Sequence, residues 1–170
     1  AQTVAVEGVD YEVGYRTTLD RFSKTLPGAI GFRLLVSQRL KDETVLPGDV
    51  APPTLGTVGS LKWRGLLTTT YVAGPSRTTL TTRYLGKGRI TNQPETSRTG
   101  IPEAYNHVDA VWYFELAENY DITVAGRKIT LFAAVENLFD RDPAKSPNYA
   151  NPALYDIIGR MYRAGVRFRF

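Results

Sequence analysis

An all-β fold, an antiparallel up-and-down meander of about seven strands, is what this sequence predicts, and three observations predict it. Apolar and polar residues alternate over seven separate runs, the period of a strand with two unlike faces. Glycine and proline, 15 and 10 of the 170 residues, fall mostly between those runs, where the chain has to turn. Helical periodicity is poor, and no window approaches eighteen consecutive apolar residues.

The first run covers about 4–18, with Val9, Tyr11, Val13 and Tyr15 on one face and Asp10, Glu12, Gly14 and Arg16 on the other. In the second, about 30–40, Phe32, Leu34 and Val36 oppose Arg33, Leu35, Ser37 and Arg39. The third, about 61–73, sets Trp63, Gly65, Leu67, Thr69 and Tyr71 against Lys62, Arg64, Leu66, Thr68 and Thr70. The fourth, about 77–90, sets Leu80, Thr82 and Tyr84 against Thr81, Arg83 and Leu85. The fifth, about 107–118, places Ala110, Trp112, Phe114 and Leu116 opposite Asp109, Val111, Tyr113, Glu115 and Ala117. The sixth, about 127–138, places Ile129, Leu131, Ala133 and Val135 opposite Thr130, Phe132, Ala134 and Glu136. The last ends the chain, with Tyr162, Ala164, Val166, Phe168 and Phe170 on one face and Arg163, Gly165, Arg167 and Arg169 on the other.

Composition narrows the function. The net charge is +4, but Lys and Arg spread from Arg16 to Arg169 without a run of five like charges. A nucleic-acid surface concentrates them, so no nucleic-acid partner is expected. There is no cysteine, which removes disulfides and thiolate metal sites. No Gly-x-Ser-x-Gly, Gly-x-Gly-x-x-Gly or phosphate-binding Gly-Lys-Ser/Thr loop occurs. The one histidine, His107, forms neither a triad nor a metal pair. Asp140, Asp142 and Asp156 could suggest a hard-cation site, but the 140–143 spacing lacks the glycine and glutamate of a calcium loop, and Asp140 and Asp142 read as turn-capping residues. Glu115 and Glu136 share the polar face of neighbouring strands, with Arg83 and Arg163 as candidate ion-pair partners. The expectation is a non-enzyme without cofactor or metal.

A soluble β-sandwich would make its apolar face a dry core of Val, Ile and Leu. Here Tyr15, Trp63, Tyr71, Tyr84, Trp112 and Tyr162 recur on that face near strand ends. Such rings suit a lipid headgroup interface. Each run is long enough to cross a bilayer at a tilt, roughly nine to eleven residues. Long connectors, about 41–60, 91–106 and 139–160, alternate with shorter ones near 19–29, 73–77 and 119–126. That is the parity of an outer-membrane barrel with long extracellular loops and short periplasmic turns. The 119–126 turn is the weakest fit to that parity. The chain opens Ala1-Gln2-Thr3-Val4, without Met or the regions of a signal peptide, so a processed or partial chain is expected.

Val135-Glu136-Asn137-Leu138-Phe139-Asp140-Arg141-Asp142-Pro143 resembles the Asn-Leu-Phe-Asp-x-x-Pro segment of TonB-dependent outer-membrane receptors. Tyr155-Asp156-Ile157-Ile158-Gly159-Arg160, with Tyr162 and Phe170 after it, resembles the approach to their closing strand. Gly8-Val9-Asp10-Tyr11-Glu12, Lys62-Trp63-Arg64-Gly65 and Arg83-Tyr84-Leu85-Gly86 resemble earlier strand segments of that family, in family order. The resemblance implies that 1–170 is the C-terminal part of a twenty-two-stranded barrel. The plug domain and early strands would lie outside this chain. It implies a Gram-negative outer-membrane location and uptake of a scarce solute such as a ferric siderophore, cobalamin or carbohydrate. The implied partners are outer-membrane lipid and lipopolysaccharide, the TonB complex through the plug, the barrel assembly machinery and a small-molecule cargo. Tyr162, Val166, Phe168 and Phe170 would form the terminal assembly signal. Arg64, Arg83, Glu115, Glu136, Arg163, Arg167 and Arg169 would face the lumen. Tyr105, His107, Tyr149 and Tyr155 are candidate cargo contacts in extracellular loops. A passive porin-type barrel and a soluble β-sandwich binding module are the alternatives.

Overall fold

The computed structural model describes residues 3–45, 52–97, 99–144 and 154–168. Its strands are β1 (Thr3–Thr18), β2 (Ala29–Val45), β3 (Trp63–Ala73), β4 (Ser76–Leu85), β5 (Val111–Val124), β6 (Arg127–Glu136) and β7 (Met161–Phe168). They form one seven-stranded sheet in the order β1-β2-β3-β4-β5-β6-β7, and every adjacent pair is antiparallel. The seven-strand meander expected from the alternation is therefore present. Phe170 and Arg169 lie outside the described residues.

Residues directly opposite across two strands share a face, so the register traces the sidedness of the whole sheet. Val13 pairs with Leu34, Leu34 with Leu67, Leu67 with Thr82 and Thr82 with Phe114. Leu116 continues to Val135, and Val135 to Tyr162. The apolar residues assigned from alternation within the strands all fall on this one face. The polar positions fall on the other, as in the row Thr81, Glu115 and the row Ala134, Arg163.

Two of the tight turns follow from residue chemistry. Ala125 (φ 50°) and Gly126 (φ 77°) form a two-residue turn between β5 and β6, the positive-φ pair that matches strand twist. Gly74 (φ 56°) and Pro75 turn β3 into β4. The β1–β2 connector 19–28 holds a 3-10 turn, Leu19–Arg21, and closes with Leu19 N–H donating to Gly28 C=O at 2.9 Å.

Several boundaries differ from the sequence expectation. β5 covers Val111–Val124, not 107–118. Alternation persists through Tyr120, Ile122 and Val124 until Ala125-Gly126 ends it, so the troublesome 119–126 turn shrinks to two residues. β4 ends at Leu85, beyond which Gly86 N–H still donates to Trp63 C=O and Gly88 pairs with Val108 in an isolated bridge. β2 runs on to Val45. A bulge near Glu7/Gly8 shifts the register from Glu7–Lys41 to Gly8–Arg39. Beyond it β1 inverts its polarity, so Glu7 joins the formerly apolar face and Val4 and Val6 leave it. Lys41, opposite Glu7, bonds Glu43 at 2.8 Å, so charged residues close off that end of the apolar face.

The buried apolar cluster lies on the opposite side from this apolar face. Leu85, Val111 and Tyr113 come from the polar face, and Val58, Leu61, Val108 and Tyr155 from the long connectors. The loops fold over the polar face at one end of the sheet, here termed the loop end. The tight connectors mark the turn end. Meanwhile Val13, Tyr15, Trp112, Tyr162 and Phe168 of the apolar face are each more than half exposed.

Turn geometry generates a test. A Cβ at Gly28 (φ 99°) would sit 2.3 Å from the Val72 carbonyl oxygen, whereas Gly74 has nothing within 4 Å. Gly28→Ala is expected to lower unfolding stability by about 3 kcal/mol and Gly74→Ala by about 1 kcal/mol. Urea titration of the folded protein compares them, and equal effects would contradict the close approach.

Candidate functional site

The candidate site is a recess of about 420 Å³ on the polar face at the loop end, lined by Arg83, Tyr113, Glu115, Glu136, Tyr155 and Asp156 among others. Its floor is strands β4 to β7, and its roof is the end of the connector 137–160. Alternation alone puts Arg83, Glu115, Glu136 and Arg163 on one face. Pairing then brings three of them together. Arg163 bonds Glu136 and lies 3.6 Å from Glu115, so one guanidinium bridges carboxylates of two other strands. All three groups are partly exposed, and water screens the attraction.

Of the two candidate partners, Arg163 takes the carboxylates, and Arg83 pairs with none among the described residues. It donates to the Leu154 carbonyl at 2.9 Å and lies 4.8 Å from the Tyr113 ring centroid. Tyr113 Oη in turn accepts from the Asp156 N–H at 3.3 Å. Two polar-face residues thus hold the connector against the sheet. Arg64 lines a neighbouring recess with Asp10 and Arg39. Arg167 lies over the Phe132 ring, 5.8 Å from its centroid. That ring covers Gly165, where a Cβ would meet it at 2.6 Å.

The segments around Asn137 and Asp156 meet at the base of the same connector. Asn137 leaves β6 with φ 48° and is buried. Its side chain donates to the Arg141 carbonyl at 2.9 Å and accepts the Arg141 N–H at 2.8 Å. Leu138 N–H donates to Phe114 C=O, and the Phe139 ring stands edge-on to Phe114 at 5.1 Å. Asp156 Oδ1 accepts the N–H groups of Ile158 and Gly159. Asp140 Oδ1 accepts the Arg160 N–H at 2.8 Å. This last bond closes the connector like a clasp. Asp156 therefore caps a turn, a role the sequence reading gave to Asp140 and Asp142, while Asp140 ties the two ends of the connector together. Among the described residues no group of His, Cys, Asp and Glu could hold a metal ion.

The candidate cargo contacts separate. Tyr105 is 73% exposed at the end of the 3-10 turn Glu103–Tyr105, and His107 is exposed nearby. Tyr149 lies outside the described residues. Tyr155 is 2% exposed and packs in the buried cluster, which corrects its assignment as a surface contact. Its apolar neighbours come from other connectors, so its burial is not visible in local alternation. Burial also pushes its phenol pKa up, and its hydroxyl has no hydrogen-bond partner among the described residues. Tyr162, Val166 and Phe168 stand exposed on the apolar face.

Sequence reading missed two loop anchors. Asn106, fully buried, accepts from the Ile90 and Thr91 N–H groups and donates to Thr91 C=O, so it ties the connector 86–110 to itself. Asp42 accepts from Arg39 at 2.6 Å and from the Ser60 hydroxyl at 2.5 Å. Arg39 N–H also donates to Lys62 C=O. Asp42 lies beyond the bulge, and its carboxyl is held below the usual range. The Ser60 hydroxyl is the main cause; Thr54 and Arg39 add to it and burial opposes it. Only the polar composition of 41–60 hinted at such a site.

Comparison with protein-family profiles, with curated proteins and with solved structures finds no match to this chain.

Tyr155→Phe is expected to be neutral or slightly stabilising, because the lost hydroxyl has no partner. Tyr155→Ala is expected to cost about 3 kcal/mol by leaving a cavity. Equilibrium unfolding distinguishes them. A second test uses pH. The lowered Asp42 pKa stabilises the fold above the unfolded carboxylate value, near 4, and the gain is lost as pH falls through the lower folded value. Asp42→Asn should therefore cost about 1 kcal/mol at pH 6 and much less near pH 2. Hydrogen exchange of residues 54–62 at the two pH values measures it.

Proposed function

We propose that this chain forms adjacent strands of an outer-membrane β-barrel, in a receptor that takes up a scarce solute with energy from TonB. One observation carries the membrane reading: the apolar face is exposed on the strands, while the buried cluster lies on the polar face. In water this leaves a large apolar surface without cover. A bilayer covers it, and the opposite face then lines an aqueous interior.

The edges of the apolar face support the same reading. Trp63, Tyr84 and Trp112 lie on three consecutive strands at the loop end, with Tyr84 and Trp112 rings 4.5 Å apart. Tyr15, Tyr71 and Tyr120 lie toward the turn end. From Trp112 to Tyr120 the strand covers about 27 Å at the usual rise, the scale of a barrel's apolar band. Glu7, Lys41 and Glu43 follow just past the loop-end boundary. The single carboxylate within the band, Glu118, accepts from the Ser76 and Thr78 hydroxyls.

The receptor reading rests on the resemblance of 135–143 and 155–162 to TonB-dependent receptors. Those segments join in one clasp at the base of the connector 137–160. Long connectors on one side, carrying exposed Tyr105 and His107, are where cargo would first meet the protein. The reaction is transport, with no bond made or broken in the cargo.

Leu34→Arg, in the middle of the apolar face, is expected to cost about 2–4 kcal/mol in lipid. Ala117→Arg on the polar face is expected to stay within about 1 kcal/mol. Urea unfolding in lipid vesicles compares them, alongside quenching of Trp63 and Trp112 by brominated lipid. A detergent-free soluble protein with unquenched tryptophans would support the sandwich module instead. Solute uptake that persists in cells lacking TonB would support a passive porin-type barrel.

A further inference from the structure

At the turn end the polar face carries a second recess, of about 550 Å³, lined by Arg16, Arg33 and Arg77 over a floor of Gly14, Gly31 and Thr70 among others. Its construction begins with cross-strand pairs. Arg33 faces Gly14, and Arg16 faces Gly31. Each arginine thus has a glycine opposite, which leaves room to lie across the sheet. Arg16 does so: a Cβ at Gly31 would lie 3.8 Å from its Cγ. Thr70 continues the Gly31 row on β3, and Arg77 opposes Val72 one row on.

The charges here are not balanced. Arg33 bonds Glu12 at 2.8 Å, and Glu12 is the only carboxylate among the lining residues. Neither Arg16 nor Arg77 has an ion-pair partner among the described residues. Both are exposed. At the other end of the same face Arg163 is shared by Glu115 and Glu136. The turn end thus holds two arginines without the shared carboxylates that Arg163 has, although Arg64, Arg83 and Arg167 of the same face also lack a carboxylate partner among the described residues.

We propose that this recess binds a small multivalent oxyanion, held by Arg16 and Arg77 with the Arg33–Glu12 pair at one wall. Arg16 and Arg77 stand three strands apart and two residues offset along them, about 16 Å between backbones. Each side chain reaches roughly 6 Å, so their guanidinium groups approach a common centre without touching. A monovalent ion offsets only one of the two charges. A di- or tricarboxylate, or a diphosphate, offers oxygen pairs at both ends for the guanidinium forks. The Thr68 and Thr70 hydroxyls on the floor add neutral donors. The site needs only the polar face, so it stands whether or not the other face meets lipid.

Pyrophosphate and propane-1,2,3-tricarboxylate serve as probes, titrated calorimetrically into the intact protein in uncharged detergent. At least one probe is expected to bind, with affinity falling as salt is raised. Arg16→Gln combined with Arg77→Gln should weaken it about tenfold or more. Arg21→Gln combined with Arg127→Gln removes the same charge outside the recess and should leave binding within about twofold. Which probe binds tells phosphate from carboxylate as the recognised group. Phenylglyoxal labelling of the wild-type protein gives a readout without substitution: the bound probe should protect Arg16 and Arg77. The proposal is overturned if neither probe binds at millimolar concentration, if the Arg16/Arg77 variant binds as well as wild type, if the control pair weakens binding equally, or if neither arginine is protected.

Discussion

Everything in this molecule hangs on the pairing register of one sheet. Side chains alternate with a period of two, so a slip by one residue in any strand would send its tyrosines and leucines to the polar face and its arginines to the apolar one. Two short connections hold the register at the turn end. Gly74-Pro75 and Ala125-Gly126 permit only one closing geometry each, and the longer β1–β2 connector is fixed by Gly28 against Val72. At the other end the register is allowed to change once, at the bulge beside Gly8. There the apolar face stops and Glu7 and Lys41 begin. The same device that ends the apolar band turns Arg39 toward Asp42 and Ser60 and starts the loop layer.

That layer inverts the usual relation between apolarity and burial. The most apolar surface is exposed, and the buried residues sit among arginines and glutamates. Leu85, Val111 and Tyr113 explain how. They occupy polar-face positions near the loop end, where Val58, Leu61, Val108 and Tyr155 descend on them. The connectors need this footing because their own backbone polar groups must be satisfied. Asn106, Asn137 and Asp140 supply those bonds locally, and Arg83 and Tyr113 supply them from the sheet. A loop layer seated this way has defined positions from which to present Tyr105 and His107.

Strand content, order and sidedness were legible because each is written in adjacent residues. Val13-Gly14-Tyr15-Arg16 states its two faces without reference to anything distant. The meeting of Glu115, Glu136 and Arg163 was half legible: the face was evident, the partner choice was not, since Arg83 lay on the same face. Arg83 was drawn to the Leu154 carbonyl and the Tyr113 ring by a connector whose path no local pattern encodes. Tyr155 failed for the same reason, being an aromatic in a polar stretch whose burial depends on residues some fifty to a hundred positions away. The β5 boundary failed differently. The fifth run reads as ending at 118, but Asn119 and Asp121 occupy the polar face of a strand that simply continues.

The distribution of charge along the polar face now has a structural logic. Beneath the loops, space is limited and the carboxylates of Glu115 and Glu136 share Arg163, because an unpaired charge under a roof loses hydration it cannot recover. At the turn end no loop among the described residues covers the sheet, so Arg16 and Arg77 stay exposed and need no partner to be tolerated. Tolerance alone does not account for their placement opposite small residues, with Gly31 beneath the Arg16 stem. Bulky side chains there would hold the guanidinium groups away from the sheet and apart from each other. Glycine and threonine let them lie inward over one floor. A multivalent anion that enters this recess meets preformed, undercompensated donors and displaces little besides water, whereas the recess at the loop end already has its charges matched.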